Sequence, residues 1–116
     1  MNHSNPPPPP IPQRLRDMLK EYPGHIQRLQ DLLADFVDTP SASEPLDRII
    51  WMLEGRLDTF YFEAIKELKE AEADGDAVKI AAADHKQDVM SGAIRKMAWI
   101  GDKGIRDYVE KYRDVL

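Results

Sequence analysis

An all-α fold is what this sequence predicts: an antiparallel helical hairpin of two long helices with a kinked or broken N-terminal helix packed on it, a small helical bundle. Three observations carry that expectation. Apolar residues recur every three or four positions through most of the chain, as a helix with one buried face requires. No stretch shows the strict alternation of a half-buried strand. The interruption "ADGDA" between two long periodic segments is short, which makes its flanking helices antiparallel neighbours.

Taken in order, residues 1–11 read as a disordered or extended Pro-rich tail, and 12–116 as a single helical-bundle domain. The run Pro6 to Pro10 favours polyproline II, which has no internal hydrogen bonds and no stripe to bury. It reads as a spacer or terminal tail in preference to a docking peptide, since no basic residue follows before Arg14. Pro12 suits a first helical position. From there Leu15, Leu19, Tyr22, Ile26, Leu29, Leu33 and Phe36 form a heptad-like stripe. Pro23–Gly24 interrupts it, because a proline removes a backbone bond and clashes with the preceding turn. Two short helices with a tight break are the first choice and a kinked continuous helix the second. "DTPSASEP" is a connection in which Ser41 or Ser43 is positioned to cap the next helix and Pro45 to occupy its first turn.

That second helix should run to about Asp74, with Leu46, Ile50, Leu53, Leu57, Phe60, Ala64, Leu68 and Ala71 inward. Gly75 suits a left-handed C-cap, and Asp74 or Asp76 can serve the following helix start. The third helix begins near Ala77 with Val78, Ala82, His85 and Val89 on one side. Its later stripe is Met90, Ala93, Ile94, Met97, Gly101, Gly104, Tyr108, Tyr112 and Val115. Gly101 and Gly104 leave two options open. They break this helix, with Asp102 capping a last one through Leu116, or they admit a neighbouring backbone.

Composition sets further bounds. The 116 residues are 42% hydrophobic and 32% charged, enough for one core without staples. No cysteine is present, which excludes disulfides, thiolate metal sites and thiol nucleophiles. No charged-then-apolar leader opens the chain, and no apolar run approaches the ~20 residues of a membrane span, so a cytoplasmic protein without membrane contact is expected. The net charge of −5 is uneven: residues 41–75 carry four basic and nine acidic side chains, residues 76–116 eight and seven. That balance argues against general nucleic-acid binding while leaving room for a local basic patch.

Little of this points to chemistry. His3 lies in the tail. His25 follows Glu21 by four residues, but across Pro23–Gly24. His85 has only Asp88 within helical reach and reads as a core-edge histidine hydrogen-bonded locally. A zinc site wants about four converging ligands and a di-iron bundle paired Glu-x-x-His motifs, and neither pattern occurs. Glu63, Glu67, Glu70, Glu72 and Asp74 interleave with Lys66 and Lys69 as a solvated helix face does. Ser91 and Thr59 have no histidine at helical reach, and "GDKG" at Gly101 lacks the length of a phosphate loop. No catalytic, cofactor or metal residue is assigned, and a non-enzymatic protein is expected.

The surfaces say more. At about 100° per residue, Trp51 and Phe62 fall within roughly 20° of each other and roughly 140–160° from the main stripe, with Gly55 near the same line. The same arithmetic, continued along the third helix, turns Trp99 outward among Arg95, Lys96, Lys103, Arg106 and Arg113. Large aromatics on an outer face mark interfaces. The expectation is therefore a protein acting by protein–protein contact, self-associating as a homodimer or higher oligomer, with an inhibitor or immunity-type binder within the same class. A nucleic-acid-associated regulator stacking through Trp99 is the alternative.

Overall fold

The computed structural model describes residues 6–39 and 41–116; residues 1–5, His3 among them, and Pro40 lie outside the described residues. Its helices are α1 (Gln13–Met18), α2 (Pro23–Asp38), α3 (Pro45–Asp74), α4 (Ala77–Ala93) and α5 (Lys103–Tyr112). Single 3-10 turns follow at Lys96–Ala98 and Arg113–Val115. No strand occurs among the described residues. The molecule is an all-α bundle.

Its frame is the α3–α4 hairpin, the most extensive helix pairing in the structure. At about 1.5 Å per residue α3 is a rod of about 45 Å, and the molecule measures 59 × 27 × 22 Å. Pro45 opens α3, and Gly75 ends it at φ 76°, donating its backbone N–H to the carbonyls of Ala71 and Glu72. Only glycine takes that left-handed C-cap without a Cβ penalty. Asp76 then caps α4, its carboxylate accepting from the N–H groups of Val78 and Lys79. The serines do not cap α3: Glu44 holds that position, and Ser41 and Ser43 hydrogen-bond each other at 3.3 Å. They lie upstream of the cap position, where the Ser41 hydroxyl accepts from the backbone N–H of Ser43 at 3.2 Å.

The apolar stripe of α3 is inward from Ile50 to Ala71, with Leu53, Leu57, Phe60 and Ala64 fully enclosed. On it lies α2, burying Leu29, Leu33 and Phe36. The N-terminal stripe is broken, not kinked: Pro23 occupies the first turn of α2, and residues 19–22 separate it from the end of α1. The heptad register survives because Leu15 and Leu19 pack into the same core as Leu29. Arg48 of α3 locks α2 in place. It lays its guanidinium over the Phe36 ring at 4.2 Å and donates to the carbonyls of Phe36 and Thr39. Those acceptors are among the carbonyls that a helix end leaves unpaired.

The third helix departs from the sequence expectation. It ends at Ala93, and Arg95 is extended at φ −77°, ψ 93°. The 100° rotation therefore stops there, and residues beyond it take other directions. Met97, expected inward, is 84% exposed, and Trp99, expected outward, is 1% exposed. The Trp99 indole N–H donates to the Ala93 carbonyl at 3.0 Å, satisfying one orphan acceptor of α4 while its rings fill the core. Val78, grouped by the sequence with Ala82, His85 and Val89 on one side of α4, is also exposed.

Of the two options at Gly101–Gly104, the structure takes the break. Asp102 caps α5 through Ile105 N at 3.0 Å, and its other oxygen accepts from the backbone N–H of Gln13 at 3.1 Å, in the first turn of α1. One carboxylate thus serves two helix starts separated by most of the chain. Gly104 permits the approach: a Cβ there would stand 2.9 Å from Asp102 Oδ2 and 3.6 Å from Pro10 Cγ. The proline segment is not idle. Pro9, Ile11 and Pro12 are buried, and Tyr108 Oη donates to the Pro7 carbonyl at 2.6 Å. The run stays irregular in secondary structure, yet it covers α5.

Replacing Asp102 by alanine should lower unfolding free energy by about 2 kcal/mol, more than a single cap at about 1 kcal/mol, because two helix starts lose their acceptor. Urea denaturation of D102A beside D76A, which uncaps α4 alone, checks this; equal losses would show that the second cap contributes nothing.

Candidate functional site

The outer face of α3 holds the residues that packing leaves over. Trp51 is 61% exposed and Phe62 66%, and a Cβ on Gly55 would meet nothing within 4 Å. Burying one side of α3 on α2 and α4 dictates this geometry, because residues about 180° from the stripe have no neighbour to reach. The Trp51–Gly55–Phe62 face is therefore where the sequence put it. The second expected patch is not. Trp99 belongs to the core, and its basic surround is largely engaged: Lys96 with Glu54 at 3.6 Å, Lys103 with Asp107 at 2.6 Å, Arg113 with Glu44 at 2.7 Å. Arg95 and Arg106 are exposed. Trp99, 1% exposed, offers no open ring face for base stacking.

An open trough of about 610 Å³ lies near the hairpin tip, where the α1–α2 turn meets α3 and α4. Tyr22, Ala71, Ala82 and Ala83 line it. Its charged rim is internally paired: His85 with Glu21 at 3.2 Å, Lys86 with Glu67 at 2.9 Å, Lys79 with Asp74 at 2.8 Å. His85 is thus exposed and bridges to a residue 64 positions away, not to a local partner as expected. That contact was invisible in the sequence, since it requires knowing where the α1–α2 turn lands. Among the described residues no group of three or more His, Asp or Glu side chains is placed to hold a metal, and no polar or charged residue is buried. No described helix is long and apolar enough to cross a membrane.

The most constrained polar cluster is structural. Arg28 on α2 meets Glu63 on α3 with two hydrogen bonds of 2.7 and 3.0 Å and covers the Phe60 ring at 4.6 Å. The guanidinium hydrogen bonds hold the Glu63 carboxyl below its usual range. The pair is partly solvated, so its net value is at most about 1 kcal/mol. Beside it His25 packs edge-on to Phe60 at 4.5 Å, with its Nε2 buried and unpartnered. Burial, followed by the nearby Lys86 and Arg28 charges, lowers the His25 pKa below the usual 6.5. Tyr108 is pushed up to about 12 by its burial against the proline segment, and then by Tyr112.

No protein-family model, curated protein or solved structure matches this chain.

Two outcomes follow from this geometry. A depressed histidine pKa makes the folded state bind fewer protons than the unfolded chain. The His25 contribution to stability is therefore complete above pH 6.5 and declines as pH falls below it. Proton NMR titration should put the His25 midpoint below 6.5; a midpoint at or above that value would show that the ring is not desolvated. Tryptophan emission should split by site. In W99F the remaining Trp51 emits at long wavelength and is readily quenched by acrylamide, whereas in W51F the remaining Trp99 emits at short wavelength and resists quenching.

Proposed function

We propose that this is a small non-enzymatic helical protein that acts through protein–protein contact and self-associates through the outer face of α3. The observation that carries the reading is the pair Trp51 and Phe62, both more than half exposed and aligned on one helix line. Truncating large aromatics at interfaces removes much of the binding energy, and a monomer gains nothing from holding two of them in water. Gly55 between them supports it further. A mid-helix glycine costs about 1 kcal/mol relative to alanine, and in the monomer no neighbour approaches it closely. A backbone brought against this face would make use of the missing side chain.

A catalytic role has less support: the charged groups around the open trough, His85 with Glu21, Lys86 with Glu67 and Lys79 with Asp74, are engaged in ion pairs with one another. A cytoplasmic setting suits a chain without cysteine. An inhibitor or immunity-type role would use the same face on a different protein.

Multi-angle light scattering should report more than one protomer per particle at high protein concentration, and W51A/F62A should return the monomer with its helical content intact. Both positions are exposed, so the double variant should fold. A parent that remains monomeric at millimolar concentration would retire self-association.

A further inference from the structure

The outer line of α3 is self-complementary, and the geometry points to an antiparallel pair of α3 helices, two copies of this chain related by a two-fold axis passing between residues 56 and 57. This rests on the self-association proposed above and specifies its partner and register. From Trp51 the line steps by four, three and four residues through Gly55 and Asp58 to Phe62. Those are the spacings of a coiled-coil seam on the side of α3 away from the core. Lys69 stands seven residues after Phe62 within α3, and Glu44, the N-cap residue just ahead of the helix, seven before Trp51.

An antiparallel two-fold sets position i opposite position 113 − i, and an axis placed by the aromatic pair brings two further pairs into register. Trp51 faces the partner's Phe62, aromatic on aromatic. Gly55 faces the partner's Asp58, a missing side chain on a short one. Glu44 faces the partner's Lys69, opposite charges at both ends of the seam. The Glu44 carboxylate engages Arg113 through Oε1, leaving Oε2 free to accept. Asp47, in the first turn of α3, reinforces the acidic end, and Lys66 the basic end. A parallel pair would set acid on acid and lysine on lysine, and would align the two helix dipoles unfavourably.

Shape permits the approach, since the seam carries the exposed aromatics and the open glycine of the α3 outer face. Four aromatic rings of about 150–250 Å² each are themselves only part of a standard interface of about 1,600 Å². The dimer is accordingly weak, with dissociation in the micromolar range. Near the axis the two Asp58 side chains occupy adjacent layers, a like-charge cost built into the seam centre.

The chain has no cysteine, so single cysteines report the register without background. In E44C and K69C the aromatics stay, and both sites are exposed. Sedimentation equilibrium of the unmodified protein should show a monomer–dimer equilibrium. With a short bis-maleimide, E44C alone and K69C alone should give little covalent dimer, because two like positions stand about 37 Å apart along the pair. Their mixture should give the heterologous product. In addition, D58A should tighten the dimer several-fold by removing the central repulsion. Efficient cross-linking of each variant with itself would overturn the antiparallel register while leaving self-association standing. An unchanged or weaker D58A dimer would overturn the placement of the axis. A monomer at every concentration would overturn both the register and the association beneath it.

Discussion

Closing the bundle beyond the hairpin depends on the turn at the end of α4, and on Trp99 in particular. The α3–α4 pair alone buries one stripe of α3 and leaves the bundle open at the end where α2 finishes and α5 must begin. Closing it requires the chain to leave helical geometry after Ala93, reverse, and deliver α5 against the proline segment. Trp99 does both parts: its indole N–H occupies an acceptor that the finished helix exposes, and its rings fill the space between the elements. A tryptophan buried with its N–H satisfied contributes large apolar area at no polar cost. Asp102, three residues later, converts that reversal into a junction by accepting from the starts of α5 and α1 together.

The consequence is an economical division of polar work. Helix ends are met by Gly75, Asp76, Arg48 and Asp102, each satisfying backbone groups that would otherwise compete for water. The ionic contacts between elements, Arg28–Glu63, Lys86–Glu67 and His85–Glu21, lie on the periphery and fix orientation more than they add stability. With those roles filled, the outer face of α3 is the large apolar feature that the fold itself does not explain. Its aromatics contribute nothing to the monomer core, and the proposed two-fold pairing accounts for their spacing, the glycine between them and the charges at either end.

How well the sequence could be read depended on whether local rules continued to apply. The α3 stripe and the Gly75 cap follow from residues within one turn of each other and were legible, and Asp76 was one of two candidates for the next cap. So was the exposed line of Trp51 and Phe62, because α3 is regular across both. The outward placement of Trp99 failed for the opposite reason. A helical wheel assumes uninterrupted helix, and three positions in a different backbone conformation reverse what faces the core, as Met97 and Trp99 show together. The basic patch built around that tryptophan lost its aromatic centre with the same error.

By itself, then, the sequence determined the all-α class, the hairpin, an interruption at Pro23 and the leftover face of α3. These depend on periodicity, caps and turn chemistry, which act over a few residues. The tertiary structure alone decided where the proline segment lies, that Asp102 joins α1 to α5, that His85 reaches Glu21, and that Trp99 is core. Each of these pairs groups from distant parts of the chain. No short-range pattern encodes such a contact, since it exists only once the intervening helices have packed and brought its two ends within hydrogen-bonding or van der Waals reach.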